Sequence, residues 1–116
     1  MVRLLLISVI VVIIPVVMYA QNCTVYGTVK WYDNGDGVPQ AKVKWWKSDY
    51  TDSTFTNNYG NYSKSGQPTG YYALKASKLR DGELWRDYKE TTFSPGYNRV
   101  DFLLAPPEMD PENIKQ

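Results

Sequence analysis

The chemistry most abundant in this sequence is aromatic: four Trp, ten Tyr and three Phe stand among 116 residues. Trp46 and Tyr71 each fall on the outward phase of an alternating run, and Lys42, Lys44 and Lys75 share those phases. Flat rings held that way can stack on the apolar faces of sugars, and they can equally anchor a protein partner. Tyr26 and Tyr32 make a second outward pair on an earlier run. The segment Asp33-Asn34-Gly35-Asp36-Gly37 puts two carboxylates, Asp33 and Asp36, in a loop of the composition that Ca²⁺ favours. It lacks regular ligand spacing and a distant bidentate Glu, so it reads as a hairpin turn, and neither a metal nor another cofactor is expected.

The remaining reactive groups are few. Cys23 is the single cysteine, so in an oxidising compartment it is either a free thiol or one half of an intermolecular disulfide, placed near a chain end within reach of a second subunit. Asn22-Cys23-Thr24 and Asn61-Tyr62-Ser63 both fit the N-glycosylation acceptor pattern, marking Asn22 and Asn61. With no His, Ser-His-Asp and Cys-His catalysis fall away, as does imidazole metal ligation. Four-ligand zinc is excluded for the same reason. The acidic residues alternate with basic ones, as in Glu83, Arg86, Asp87, Lys89 and Glu90, which is the pattern of a solvated surface rather than of two carboxylates flanking a bond. No enzyme activity is expected. The formal charge is +1 from 13 basic and 12 acidic residues, too nearly neutral for a nucleic-acid binder.

The chain opens with Arg3, then an apolar run over residues 4–17 broken by Ser8 and Pro15, and Ala20 precedes the polar pair Gln21-Asn22. A charged start, an apolar stretch and a small residue at a polarity break make residues 1–20 a secretory signal peptide cleaved after Ala20. An uncleaved anchor is the rival reading, at the short limit of what spans a bilayer. Cleavage leaves no membrane attachment, and the protein is then secreted, extracellular or at the cell surface. Asn22 ahead of Cys23 is not the small residue of a lipoprotein site.

Positioning these side chains falls to short strands. Residues 25–32 alternate with the period of two that marks a half-buried strand, and so do residues 41–46, 71–76 and 99–104. Turn residues separate them: the Asx-Gly cluster at 33–37, Asn57-Asn58-Tyr59-Gly60, Gly66-Gln67-Pro68-Thr69-Gly70 and Ser94-Pro95-Gly96. Residues 84–93 read as a strand of uncertain register, and residues 76–86 leave room for a short helix. From residue 106 on, prolines and charges predict a disordered tail. Strands at this spacing predict an all-β sandwich.

The order Val25-x-Gly27-x-Val29, Gly37-Val38-Pro39-x-Ala41-x-Val43, Thr54-x-Thr56-Asn57-x-x-Gly60-x-Tyr62, Gly70-x-Tyr72-x-Leu74-x-Ala76 and Val100-Asp101-Phe102-x-Leu104 resembles the carboxypeptidase regulatory-like domains of the transthyretin-like (prealbumin-like) group. Two departures are Asn57, where the family usually has Asp, and a long insertion over residues 79–88. The resemblance implies an Ig-like or transthyretin-like, seven-stranded, two-sheet Greek-key sandwich over residues 21–105, with Trp46 and Tyr71 in one sheet. It also implies a non-catalytic role in secreted or cell-surface proteins, and it transfers no active-site residue. The expected function is protein contact: a structural or adhesive module, self-associating through its sheet faces, its tail or Cys23. The alternative is polysaccharide binding through Trp46 and Tyr71.

Overall fold

The structure is a computed structural model and describes residues 22–109; the expected signal peptide at 1–20 and most of the expected disordered tail lie outside the described residues. Eight strands follow in chain order: β1 (Asn22–Trp31), β2 (Lys42–Lys47), β3 (Tyr50–Phe55), β4 (Asn61–Pro68), β5 (Gly70–Arg80), β6 (Glu83–Phe93), β7 (Gly96–Arg99) and β8 (Phe102–Leu104). A 3₁₀ turn, Pro107–Met109, lies in the described part of the tail that was expected to be disordered. One sheet has the order β4-β1-β7, with β8 pairing further along the same edge of β1; the other has the order β3-β2-β5-β6. The two stack as an all-β sandwich.

Alternation builds the interior. Val25 and Val29 from β1, Val43 and Trp45 from β2, Tyr72, Leu74 and Ala76 from β5, and Phe102 and Leu104 from β8 are all buried. Tyr72 stacks on Phe93 with ring centroids 4.4 Å apart, and Trp45 meets Phe93 edge-on at 6.5 Å. Buried rings of this size carry much of the driving force in so short a chain.

A polar seam fastens the sheets at one side. The Trp45 indole N–H donates to Gln67 Oε1 at 2.9 Å, the Tyr50 hydroxyl donates to the same oxygen at 3.0 Å, and Gln67 Nε2 donates to Asp52 Oδ2 at 3.1 Å. Lys64 Nζ completes it, 2.8 Å from Asp52 Oδ1. Gln67 and Lys64 belong to β4 and the others to β2 and β3, so every bond crosses between sheets or braces one that does. Burial pushes the Asp52 carboxyl upward, but Lys64, the Ser53 N–H and Gln67 outweigh it and hold the group below the usual carboxylate range.

Two glycines set how closely the backbone packs. Gly60 has φ +86°, and a Cβ there would lie 2.6 Å from the Val29 carbonyl oxygen. A Cβ on Gly27 would collide with the Val100 carbonyl, where the chain passes from β7 to β8. At that crossing the Asp101 carboxylate accepts the Thr28 N–H at 2.9 Å, standing in for a missing ladder partner. The final alternating run, read as one strand from the sequence, therefore divides into β7 and β8.

Three further differences have local causes. The residues expected to form a turn at 66–70 mostly continue β4 to Pro68, because Gly66, at φ +71°, forms a bulge opposite the step from Cys23 to Val25. In place of a helix at 76–86, β5 and β6, each of 11 residues, form a hairpin. Asp81 and Gly82 take φ of 52° and 81°, the left-handed pair that a type I′ hairpin turn requires. Cys23 does not sit at a mobile chain end; it lies in β1, pairs with Gln67 and is 4% exposed. Burial raises its thiol pKa, so an intermolecular disulfide there would require opening the sheet.

Replacing Gln67 by Ala strands the Trp45 indole N–H and should cost about 1–3 kcal/mol, read as a lower urea midpoint with an unchanged slope. Because Asp52 titrates lower in the folded chain than in the unfolded one, its contribution is present above the ordinary carboxylate range and lost as pH falls through the depressed value. Asp52→Asn should therefore flatten the acid limb of a stability-against-pH curve, measured by thermal melting.

Candidate functional site

The outer face of β2, β5 and β6 gathers three aromatic side chains that the interior does not use: Trp46, Tyr71 and Tyr88. Strand register places Trp46 opposite Ala73, Ala73 opposite Glu90, Lys44 opposite Lys75, and Lys75 opposite Tyr88. The small Ala73 thus sits between the indole of Trp46 and the carboxylate of Glu90. Tyr71 lies one pleat beyond it on β5, since residues two apart share a face.

Glu90 organises the group. Its Oε1 accepts the Tyr71 hydroxyl at 2.8 Å and its Oε2 accepts the Tyr88 hydroxyl at 2.8 Å. The hydrogen bonds from Tyr71 and Tyr88 hold the Glu90 carboxyl below its usual range, and the bond to Glu90 raises the Tyr71 phenol. Tyr88 also meets Trp46, ring centroids 6.3 Å apart and tilted by 50°. The Lys44 ammonium lies 5.6 Å from the Trp46 ring, within cation–π range. Tyr71 is 60% and Tyr88 48% exposed. The result is a platform of three rings: one shared carboxylate fixes Tyr71 and Tyr88, and Trp46 packs against Tyr88. It can stack on a flat apolar face and offer hydroxyl and carboxylate oxygens to polar groups around it. A carboxyl held ionised by two phenols suits acceptance of hydrogen bonds, not donation of a proton.

Trp46 and Tyr71, picked out from the sequence, are brought onto this face. Tyr88 and Glu90 are its other members. Tyr88 was missed because the register of β6 was open, and Glu90 because its alternation with Lys89 reads as a solvated surface. The signal that finds both is Asp81-Gly82: counting outward equally from that turn pairs Lys75 with Tyr88 and Ala73 with Glu90.

The other singled-out residues lie elsewhere. Tyr26 is on the outer face of the opposite sheet beside Tyr97, centroids 6.3 Å apart. Tyr32 is exposed just past the end of β1, six residues along from Tyr26, so the two do not form one site. Asp33 is committed to Arg80, whose Nη1 lies 3.1 Å from each carboxylate oxygen. That guanidinium itself lies against both Trp31 and Trp85, 4.4 and 4.6 Å from their ring centroids. Asp36 donates its N–H to Asn34 Oδ1 at 2.8 Å, closing the loop as an Asx turn. Among the described residues no three His, Cys, Asp or Glu come together as a metal site. Asn22 and Asn61 are exposed, and Asn61 lines a hollow with Tyr26, which a glycan at that position would fill.

No family model matches the chain, and no curated protein matches it. Among solved structures it is similar to a proposed carbohydrate-binding protein from Bacteroides uniformis, at 16% sequence identity and a TM-score of 0.58. The likeness covers 74% of this chain and 42% of that one, so the chain spans less than half the length of this neighbour. At such identity what is shared is the β-sandwich.

Removing the negative partner should ease ionisation of the phenol. In Glu90→Gln, Tyr71 should form phenolate at lower pH than in the parent, followed by ultraviolet absorbance and assigned by the loss of that step in Tyr71→Phe.

Proposed function

We propose that this protein is a non-catalytic carbohydrate-binding module whose ligand lies on the Trp46, Tyr71 and Tyr88 platform. One observation carries the reading: two exposed phenols are locked by both oxygens of Glu90 while a third ring, Trp46, packs beside them. Pre-orienting rings before a ligand arrives lowers the ordering cost of binding. Sugars suit the site because each ring unit combines a flat C–H face with hydroxyls, and the platform combines flat rings with acceptors and the Lys44 ammonium. The structural neighbour from Bacteroides uniformis, itself proposed to bind carbohydrate, supports the same reading. The β-sandwich, with the five ordered segments from Val25 to Leu104, supports placing the domain among the carboxypeptidase regulatory-like group, and the leader-like residues 1–20 support secretion.

A role in protein contact would use the same exposed rings, but self-association through Cys23 loses its basis because the thiol is buried. The two readings separate experimentally. Binding to a panel of insoluble and soluble polysaccharides should quench or shift Trp fluorescence. Trp46→Ala and Tyr88→Ala should each weaken that binding by at least about tenfold, equivalent to about 1.4 kcal/mol, while leaving the melting temperature nearly unchanged. Wild-type affinity in Trp46→Ala defeats the proposal. Light-scattering mass that falls from oligomer to monomer in the same variant would install protein contact in its place.

A further inference from the structure

We propose a second binding site on the outer face of the opposite sheet, reaching the β6 edge at Asp87 and Lys89, one that takes an acidic saccharide chain. It goes beyond the platform reading and shares none of its residues. On the outer face of β4, β1 and β7 an open hollow of about 430 Å³ is lined by Thr24, Tyr26, Asn61, Ser63, Tyr97 and Arg99. A second hollow of about 380 Å³ continues from it through Thr28 and Arg99 to Lys30 and Lys89, with Asp87 and Asp101 in its wall. Each has the volume of a small-ligand cleft, and Arg99 stands where they meet.

The first hollow supplies rings. Tyr26 and Tyr97 meet edge to face at 79°, and the Arg99 guanidinium lies 5.9 Å from the Tyr26 ring. Tyr97 is 82% exposed, an arrangement that gives the core nothing and leaves a face open for stacking.

The second hollow supplies charge. Its two carboxylates are already engaged by the chain. Asp101 accepts the Thr28 N–H at 2.9 Å, the Thr28 hydroxyl at 3.2 Å and Arg99 Nε at 3.0 Å; burial pushes its pKa up, but these bonds prevail and hold it low. Asp87 accepts the Leu103 N–H at 3.0 Å and the Tyr88 N–H at 2.9 Å, with Lys89 looser at 3.8 Å. Arg99 spends only Nε on Asp101, so its terminal amino groups carry no protein hydrogen bond among the described residues. Those two groups form the fork that binds a carboxylate in bidentate fashion. Lys30 and Lys89 flank it, both exposed. Rings for the sugar face beside a free guanidinium fork for its carboxylate define a uronic acid, and the continuity of the two hollows accommodates more than one unit.

The test is calorimetric titration of the full-length protein, without N-glycans, with a galacturonic acid oligomer and with the same oligomer after its carboxylates have been reduced to alcohols. The acidic oligomer should bind, weakening as salt is raised, and the reduced one should bind at least about tenfold more weakly. Arg99→Gln and Tyr97→Ala should each cost tenfold or more for the acidic oligomer, whereas Trp46→Ala should leave it unchanged. Tyr97→Ala touches no buried contact, so its loss of binding cannot be put down to unfolding. Equal affinity for the two oligomers overturns the proposal. So does undiminished binding in Tyr97→Ala, equally tight binding of polyphosphate, which would mark a general anion patch, or loss of binding in Trp46→Ala, which would return the ligand to the platform.

Discussion

Trp45 is the largest side chain fully enclosed between the two sheets, and a fully enclosed indole must find an acceptor for its N–H or pay for desolvation. Gln67 provides it from the opposite sheet, and that bond decides much else. It draws the end of β4 inward, requires the bulge at Gly66 that turns Gln67 to the interior, and sets Asp52, Tyr50 and Lys64 around the remaining amide positions. The sheets are therefore held at one side by a connected polar network and through the centre by the Trp45, Tyr72 and Phe93 rings. Tyr72, half of that stack, has its phenol pushed up to about 12, chiefly by burial.

An interior held together in this way leaves the outer faces free to differ. In a strand, each inward side chain alternates with one that plays no part in the core, and both sheets use that second set for aromatic groups. On β2, β5 and β6 they surround one carboxylate. On β1 and β7 they lie beside an arginine whose Nε is anchored by Asp101. Both arrangements rest on fixed strands, which hold ring orientation better than loops do. The two faces differ in the group at their centre: a carboxylate bonded by two phenols on one, an arginine bonded through Nε to Asp101 on the other.

Much of this was legible beforehand. The runs read as strands at 25–32, 41–46 and 71–76, which overlap β1, β2 and β5, follow from alternation, since a period of two leaves one face apolar whatever the sheet order. Trp46 and Tyr71 could be assigned outward from phase alone. Cys23 was misplaced because proximity to a predicted cleavage point says nothing about sheet pairing, and β1 in fact begins at Asn22. Asp33 offered the oxygens of a metal ligand, yet its partner Arg80 is 47 residues away in the chain, and no local pattern announces such a pair.

The sequence by itself determined the all-β class, the inward set of side chains and the surplus of rings facing out, because alternation and turn chemistry act over a few neighbouring residues. Tertiary structure alone decided which of those rings meet. Glu90 joins Tyr71 and Tyr88 only after the Asp81-Gly82 turn has folded β6 back along β5, and Arg99 reaches Tyr26 only after β7 has added to β1 in parallel. Contacts between strands depend on register and sheet order, which follow from the free energy of the assembled interior rather than from any one segment.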